Sequence, residues 1–325
     1  MTGHQTSDSA GVVCLTHEQI DRAQEMLASG EFFWLDLHAA ADEQIVAIGE
    51  SMGLHPLTIE DLQHFGQRPK IEPYIDEGYV YIVFYGAAPA DDDDRLAEIH
   101  IIHSTKFLLT ARRDDSVELR GLWKTASDSR VRDPLRLLHV VLDTLVDSFG
   151  PVLDELDDQI ERVEELIFQR ALEGRESEIH RLRRLLGRMN RTIHAETESL
   201  TRIRDALVSL HGSERAMGPY FRDVLDHLSR VANSADSLRD RLTALSDLYV
   251  AALDTRLNMV MKQFTVIAGI FLPLTVLVGY FGQNFKWMTD HVDGWVAFVV
   301  WGVALPIAIT TGLLIFFSRR RLLKD

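Results

Sequence analysis

The sequence predicts an α+β membrane protein: a cytoplasmic mixed α/β domain, a long helical stalk with a coiled-coil-like seam, and two transmembrane helices near the C-terminal end. Three observations predict it. Short segments rich in aromatic and branched residues are spread over the first 131 positions, an apolar seven-residue repeat runs from Phe221 to Ala252, and two stretches, Phe264 to Phe281 and Trp295 to Phe317, contain no charged residue.

Residues 1–131 alternate strand and helix signals. The segments FFWLDL from Phe32, YVYIVFY from Tyr79, EIHIIH from Glu98 and KFLLTA from Lys106 have the composition and the short apolar runs of strands. The last two are joined by Ser-Thr, which predicts a hairpin. Helical patterns such as DEQIVAIGESMGL lie between the strands, so the sheet is expected to be mixed.

Residues 132–218 read as an antiparallel helical hairpin. Leu138, Val141, Leu142, Leu145, Val146, Phe149 and their successors to Val163 keep three-and-four spacing, as do Ile179, Leu182, Leu185, Leu186, Met189 and Ile193, with a turn expected in LEGRES from Leu172. The stalk helix follows over 219–262. Phe221, Leu228, Ala235, Leu242 and Tyr249 recur every seven residues, and Val224, Val231, Leu238, Leu245 and Ala252 form a second set three positions later. Such a repeat marks a helix-packing seam, and it offers a reason for assembly. Without a proline or paired glycines to stop it, the helix should continue into the first span, giving a rod on the order of 90 Å at ~1.5 Å per residue.

The first span is placed at 263–282 and the second at 295–317, joined by an external loop at 283–294; a basic tail occupies 318–325. Each uncharged run can cross a hydrocarbon layer roughly 30 Å thick. Two spans put both ends on one side, and Arg319, Arg320, Arg321 and Lys324 mark that side as cytoplasmic, where positive residues concentrate. The start, MTGHQTSDSAG, does not have the pattern of a signal peptide, so a bacterial inner or other plasma membrane is expected, with the N-terminal domain inside the cell.

The formal net charge is −15, and all the acids except Asp290, Asp293 and Asp325 precede the membrane region. Nucleic acid, which needs basic patches, is therefore not an expected partner. An acidic surface concentrates cations, although it also simply keeps a protein soluble. A single cysteine, Cys14, excludes an intrachain disulfide. No phosphate-binding glycine loop or nucleophile elbow is present, so neither enzyme chemistry nor transport driven by ATP hydrolysis in this chain is expected.

Two spans cannot enclose a water-filled path, so transport would need several copies around an axis. Asn258, Met261, Thr265, Leu272, Thr275 and Gly279 fall in helical steps along one side of the first span. That side could line a narrow pore with hydrophobic constrictions, or pack against another helix through its small residues. At the end of the span lies YFGQNF. Gly282 would let the backbone leave the helix, and Asn284 would present an amide oxygen; a ring of neutral oxygens suits Mg²⁺, which gives up its water reluctantly. A plain loop exit accounts for the same three residues.

The run NMVMKQFTVIAGIFLPLTVLVGYFGQNF resembles the first span and signature of the CorA family of divalent-cation channels, matching it at Asn258, Met261, Lys262, Thr265, Pro273, Gly282, Asn284 and Phe285. LHPLTIEDLQHFGQRPKIE from Leu54 and PYFRDVLDH from Pro219 are similar to two further signatures of that family. The resemblance implies a homopentameric funnel whose pore is formed by the first span of each subunit. It implies Asn258, Met261, Phe264, Thr265, Leu272 and Thr275 as pore lining, with Met261, Phe264 and Leu272 as the hydrophobic gate, and Gly282, Gln283 and Asn284 as the selectivity filter. It also implies Asp223 as a regulatory Mg²⁺ ligand between subunits, with His227 on the same helix face and Asp147 as a further candidate. The function implied is passive, Mg²⁺-gated uptake of Mg²⁺, with Co²⁺ and Ni²⁺ as further ions. Gln283 stands where the family has Met, which keeps a Zn²⁺-preferring reading open; a membrane-anchored coiled-coil sensor that conducts nothing is the alternative of another class.

Other signals carry no chemistry. His100 and His103, three apart on a strand, should point to opposite faces. Asp91 to Asp94 read as a solvated turn, HEQID at His17 lacks the second histidine of a zinc-hydrolase helix, and NRT at Asn190 lies on a predicted cytoplasmic helix.

Overall fold

The computed structural model describes residues 12–88, 95–113, 119, 121–122, 133–211, 218–283, 286, 290 and 294–320. Asn284, Phe285, Asp91 to Asp94, and the tail residues Arg321 and Lys324 lie outside them. The chain divides into two compact units, one formed by residues up to Gln169 with Glu173–Ser246, the other by Asp247–Asp325 with Arg170–Leu172.

The first unit is built on a six-stranded sheet: β1 Val13–Thr16, β2 Phe33–His38, β3 Lys70–Tyr74, β4 Tyr79–Ala87, β5 Leu96–Ser104 and β6 Phe107–Arg112. Their order is β1-β2-β6-β5-β4-β3. β1, β2 and β6 pair in parallel, while β6, β5, β4 and β3 pair antiparallel, so the sheet is mixed and the Ser-Thr hairpin joins β5 to β6. Between β2 and β6 the buried polar residues are linked in a chain: Trp34 Nε1 donates to Thr110 Oγ1 (3.0 Å), Thr110 Oγ1 donates to Asp36 Oδ1 (2.7 Å), and Arg112 pairs with Asp36 (2.8 Å). A one-residue slip would leave these groups buried without partners, so they pin the register.

On one side the sheet packs against α1 Ile20–Ser29, α2 Asp42–Ser51 and α3 Pro56–Gln63, burying Phe33, Leu35, Ile48, Leu62, Tyr79 and Tyr81. Pro56 starts α3 at a position that needs no N–H, and the His55 side chain caps it by accepting from Leu57 N. On the other side lie α4 Pro134–Asp147, α5 Phe149–Phe168, α6 Arg175–Leu200 and α7 Ile203–His211. Asp133 caps α4 through Leu135 N, with Pro134 again in the first turn.

The helical texture after Pro134 is thus not one hairpin of two unbroken helices. It is interrupted at Ser148, close before Pro151, whose missing N–H cannot continue the ladder, and again at Thr201. Gly86 of β4 permits this layer to approach: a Cβ there would stand 3.0 Å from Leu145 Cδ2 and 3.1 Å from Ser148 Oγ.

α8 Gly218–Phe281 is a single helix of 64 residues that contributes to both units. The seven-residue repeat is present, and from Phe221 to Leu245 the chain's own helices fill it, while Tyr249 and Ala252 are only partly buried and fall in the second unit. Phe221, Val224, Leu228, Val231, Ala235, Leu238, Leu242 and Leu245 are all buried within one chain. Arg241 pairs with Asp157 of α5, and Asn190 of α6 donates to Asp236. From Phe221 to Leu245 the seam therefore closes the first unit internally.

In the second unit, the end of α8 and α9 Trp295–Arg319 are the two helices long and apolar enough to cross a membrane. Their apolar windows are almost wholly unburied, unlike the core helices of a soluble protein. α9 carries a π-helical stretch, Phe298–Ala304, just before Pro306. The two helices touch at Gly269, where a Cβ would lie 2.8 Å from Phe317 Cζ, and at Phe281 and Trp301, whose rings are 6.2 Å apart.

Candidate ion pathway and acidic–histidine cluster

A helix turns about 100° per residue, so Asn258, Met261, Phe264, Thr265, Leu272 and Thr275 share an arc of roughly 120° on α8. All six are exposed in the single chain; Met261, Phe264 and Leu272 are 63%, 64% and 65% accessible. Val266, about 80° beyond Asn258, is buried, and Gly269, only about 20° beyond Asn258 at the edge of that arc, meets α9. The residues picked out from the sequence lie within the wider side of α8 that α9 leaves uncovered, which also carries Ile267, Phe271 and Val278. Thr265 and Thr275 donate to the carbonyls of Met261 and Phe271, each at 2.8 Å, so their hydroxyl protons stay within the helix and their oxygens remain as exposed acceptors.

The helix ends at Phe281. Gly282 N donates to Val278 O at 2.8 Å and Gln283 N to Tyr280 O at 3.3 Å. Gly282 does not use the left-handed conformation expected of a glycine helix exit. A Cβ there would lie 3.1 Å from Val278 O, the helix carbonyl that Gly282 N itself donates to. Gln283 is exposed, and Asn284 falls outside the described residues.

The second candidate site lies in the first unit, between α4 and α8. His227 is brought to Asp147, Nε2 to Oδ1 3.1 Å, and also to Asp143, Nδ1 to Oδ1 3.1 Å. Both ring nitrogens are engaged by carboxylates, so His227 has no nitrogen to offer a metal while these contacts hold. Asp223, one turn earlier, is not part of that contact. Its carboxylate is 67% exposed and lies 3.5 Å from Nε2 of the largely buried His139, whose ring packs 5.1 Å from Tyr220.

Sequence reasoning missed His139 and Asp143. The signal was available: His139, Asp143 and Asp147 are spaced four apart and line one face of α4. Among the described residues, no group of three or more His, Cys, Asp or Glu is arranged to hold a metal ion. Asp223 therefore offers one outward carboxylate, and the described residues of a single chain do not supply a complete ligand set.

His100 and His103 do point to opposite faces. His100 lies 2.9 Å from Tyr81 Oη and 2.9 Å from Glu98, whereas His103 Nε2 lies 3.0 Å from His211 Nε2 on α7.

Residues 29–320 match the family model described as "CorA-like Mg2+ transporter protein". The chain is 30% identical over 301 residues to the cobalt/magnesium transport protein CorA of Thermotoga maritima, covering 89% of this chain and 82% of that protein. The solved structure of the CorA magnesium transporter from Methanocaldococcus jannaschii superposes with a TM-score of 0.76 at 21% identity, covering 88% and 90% of the two chains. The cytoplasmic domain of ZntB from Vibrio parahaemolyticus superposes with a TM-score of 0.56 at 14% identity over 69% of this chain and 91% of that one. These two structural likenesses show the fold alone. With the family model spanning the sheet, the long helix and both apolar helices, the chain belongs to the CorA-like Mg²⁺ transporter family, membrane proteins that move ions and are not enzymes.

Proposed function

We propose that the chain is the subunit of a passive channel that admits Mg²⁺, and with it Co²⁺ and Ni²⁺, across the plasma membrane, with both termini in the cytoplasm. The observation that carries this reading is the family match across residues 29–320, from the sheet domain through both apolar helices. Five copies would place the uncovered face of α8 around a shared axis, with Met261, Phe264 and Leu272 as the constriction. Water held in so narrow an apolar passage has few partners, so the passage gates by drying. Asn258, Thr265 and Thr275 would supply polar oxygens along it. Gly282, Gln283 and Asn284 would form the filter at its outer end, where uncharged oxygens hold the ion through its water.

In the same reading, Mg²⁺ bound at Asp223 between neighbouring subunits holds the closed state. The exposure of that carboxylate supports a ligand shared with a second copy. His227 and Asp147 lie close enough to orient the region, with His227 held between Asp143 and Asp147. Cytoplasmic Mg²⁺ then closes its own entry route, because it binds the closed arrangement better than the open one.

Purified protein in liposomes with an inside-negative potential tests the reading. Mg²⁺ entry above that of empty vesicles is expected, and no entry would overturn it. Gln283 favours one second reading, a Zn²⁺-preferring transporter. Competition between Zn²⁺ and Mg²⁺ in the same liposomes separates the two, with preferential Zn²⁺ entry deciding for the second.

A further inference from the structure

One basic feature of this acidic chain has no part in the proposed ion pathway. A cavity of about 720 Å³ opens in the first unit between α6 and the loop that joins α3 to β3, with Arg68, Arg113, Arg188 and Arg191 in its wall. Its volume is in the range of roughly 300–1,000 Å³ that small-molecule sites occupy. Four guanidinium groups around one cleft in a protein of net charge −15 is a local departure from the composition. Arg68 and Arg191 are exposed, and neither has an ion-pair partner among the described residues.

The single acid in the wall, Glu98, has its hydrogen-bonding capacity taken up by the protein itself. Its carboxylate accepts from Gly66 N and from Gln67 N (3.1 Å), and lies 2.9 Å from His100 Nε2. The same bonds fix the rim. Tyr85 Oη donates to Gln67 O (2.5 Å), the Gln67 amide donates to the carbonyls of Asp61 (2.9 Å) and His64 (2.8 Å), and Ser199 of α6 donates to Pro69 O (2.9 Å). A rim tied at this many points is pre-formed, which lowers the ordering cost of binding. Arg113 is held over the Phe65 ring, 4.7 Å from its centroid, and donates to Gln63 O, making a flat platform at the edge of the cavity.

We propose that this cavity binds a phosphorylated small molecule of nucleotide size. Arg68, Arg188 and Arg191 take the phosphate oxygens, which guanidinium groups match by paired hydrogen bonds, and the Arg113–Phe65 platform takes a planar base by stacking. A free phosphate would fill only a small part of the space. Arg191 also borders a second cavity of about 490 Å³ with Arg183 and Arg239, so the positive surface continues around α6 for a chain of more than one phosphate.

Calorimetric titration of the purified full-length protein tests this, with free Mg²⁺ held constant so that chelation does not confound the reading. The probes are ATP, ADP, AMP, pyrophosphate and inorganic phosphate. Saturable ATP binding is expected, tighter than that of pyrophosphate, at least tenfold weaker in Arg191→Glu and in Arg68→Glu, and within twofold of the parent in Arg22→Glu on the exposed face of α1. The two arginines are exposed, and circular dichroism confirms the fold of each variant; either one that folds carries the test. The proposal is overturned if none of the nucleotides binds saturably, if both variants bind as the parent does, if inorganic phosphate binds as tightly as ATP, or if crosslinking places Arg191 against an acidic face of a second copy.

Discussion

Glu196 and His103 are both fully buried in the first unit, and burial drives their titrations in opposite directions. Glu196 Oε1 accepts from Tyr85 N at 2.6 Å while Oε2 has no hydrogen-bond partner, and desolvation raises its carboxyl well above the usual 4.5. Across the window from 4.5 up to that raised value the folded chain binds more protons than the unfolded one, so stability falls as pH rises. Glu196→Gln removes the charge question, so it should raise the melting temperature relative to the parent at pH 8 and lose that advantage toward pH 5. An equal effect at both pH values would contradict the assignment. Desolvation, with a smaller contribution from His211, lowers His103 from 6.5 to about 3. There the folded chain binds fewer protons between those values, so its contribution to stability is lost as pH falls below 6.5, a slope that urea denaturation at pH 6.5 and 5 should find reduced in His103→Gln. Neither group was legible as unusual in the sequence, because a glutamate in a polar helix and a histidine in a strand look alike whether buried or exposed.

At the scale of elements, pattern predicted where packing is regular and failed where it is not. The four longer strands are visible because they are apolar and branched; β1 is only four residues long, and β3 contains Pro73 and charged residues. β3 tolerates that proline as an edge strand, where a missing ladder donor costs little. The repeat of α8 was legible, whereas its partner was not: periodicity reports that a face is buried and is silent about which helix covers it. Because α4, α5 and α6 belong to the same unit as the seam, Leu228→Ala should destabilise the folded unit by about 2–5 kcal/mol, the range for a buried large-to-small change. Chemical denaturation should show that loss to be independent of protein concentration. A loss that vanishes at high concentration would place the seam between subunits instead.

At the scale of the whole molecule, a candidate pore face could be drawn from the sequence because it is linear along one helix. The cluster around His227 was only half legible, because it joins two helices distant in the chain. Asp223 is the exposed member, so Asp223→Ala should abolish or strongly weaken the protection that Mg²⁺ gives the full-length protein against limited proteolysis; undiminished protection would move regulation elsewhere. The central claim is that the arc of α8 carrying Met261, Leu272 and Thr275 lines the path of the ion. Thr275 lies on that face, while Leu277, two residues on and partly buried, lies off it. The most direct measurement is Mg²⁺ flux into liposomes for Thr275→Cys and Leu277→Cys, each in a Cys14→Ser background, before and after a small thiol-reactive cation is added. The account predicts that the reagent blocks flux through Thr275→Cys and spares Leu277→Cys; block at Leu277→Cys with Thr275→Cys unaffected would contradict it.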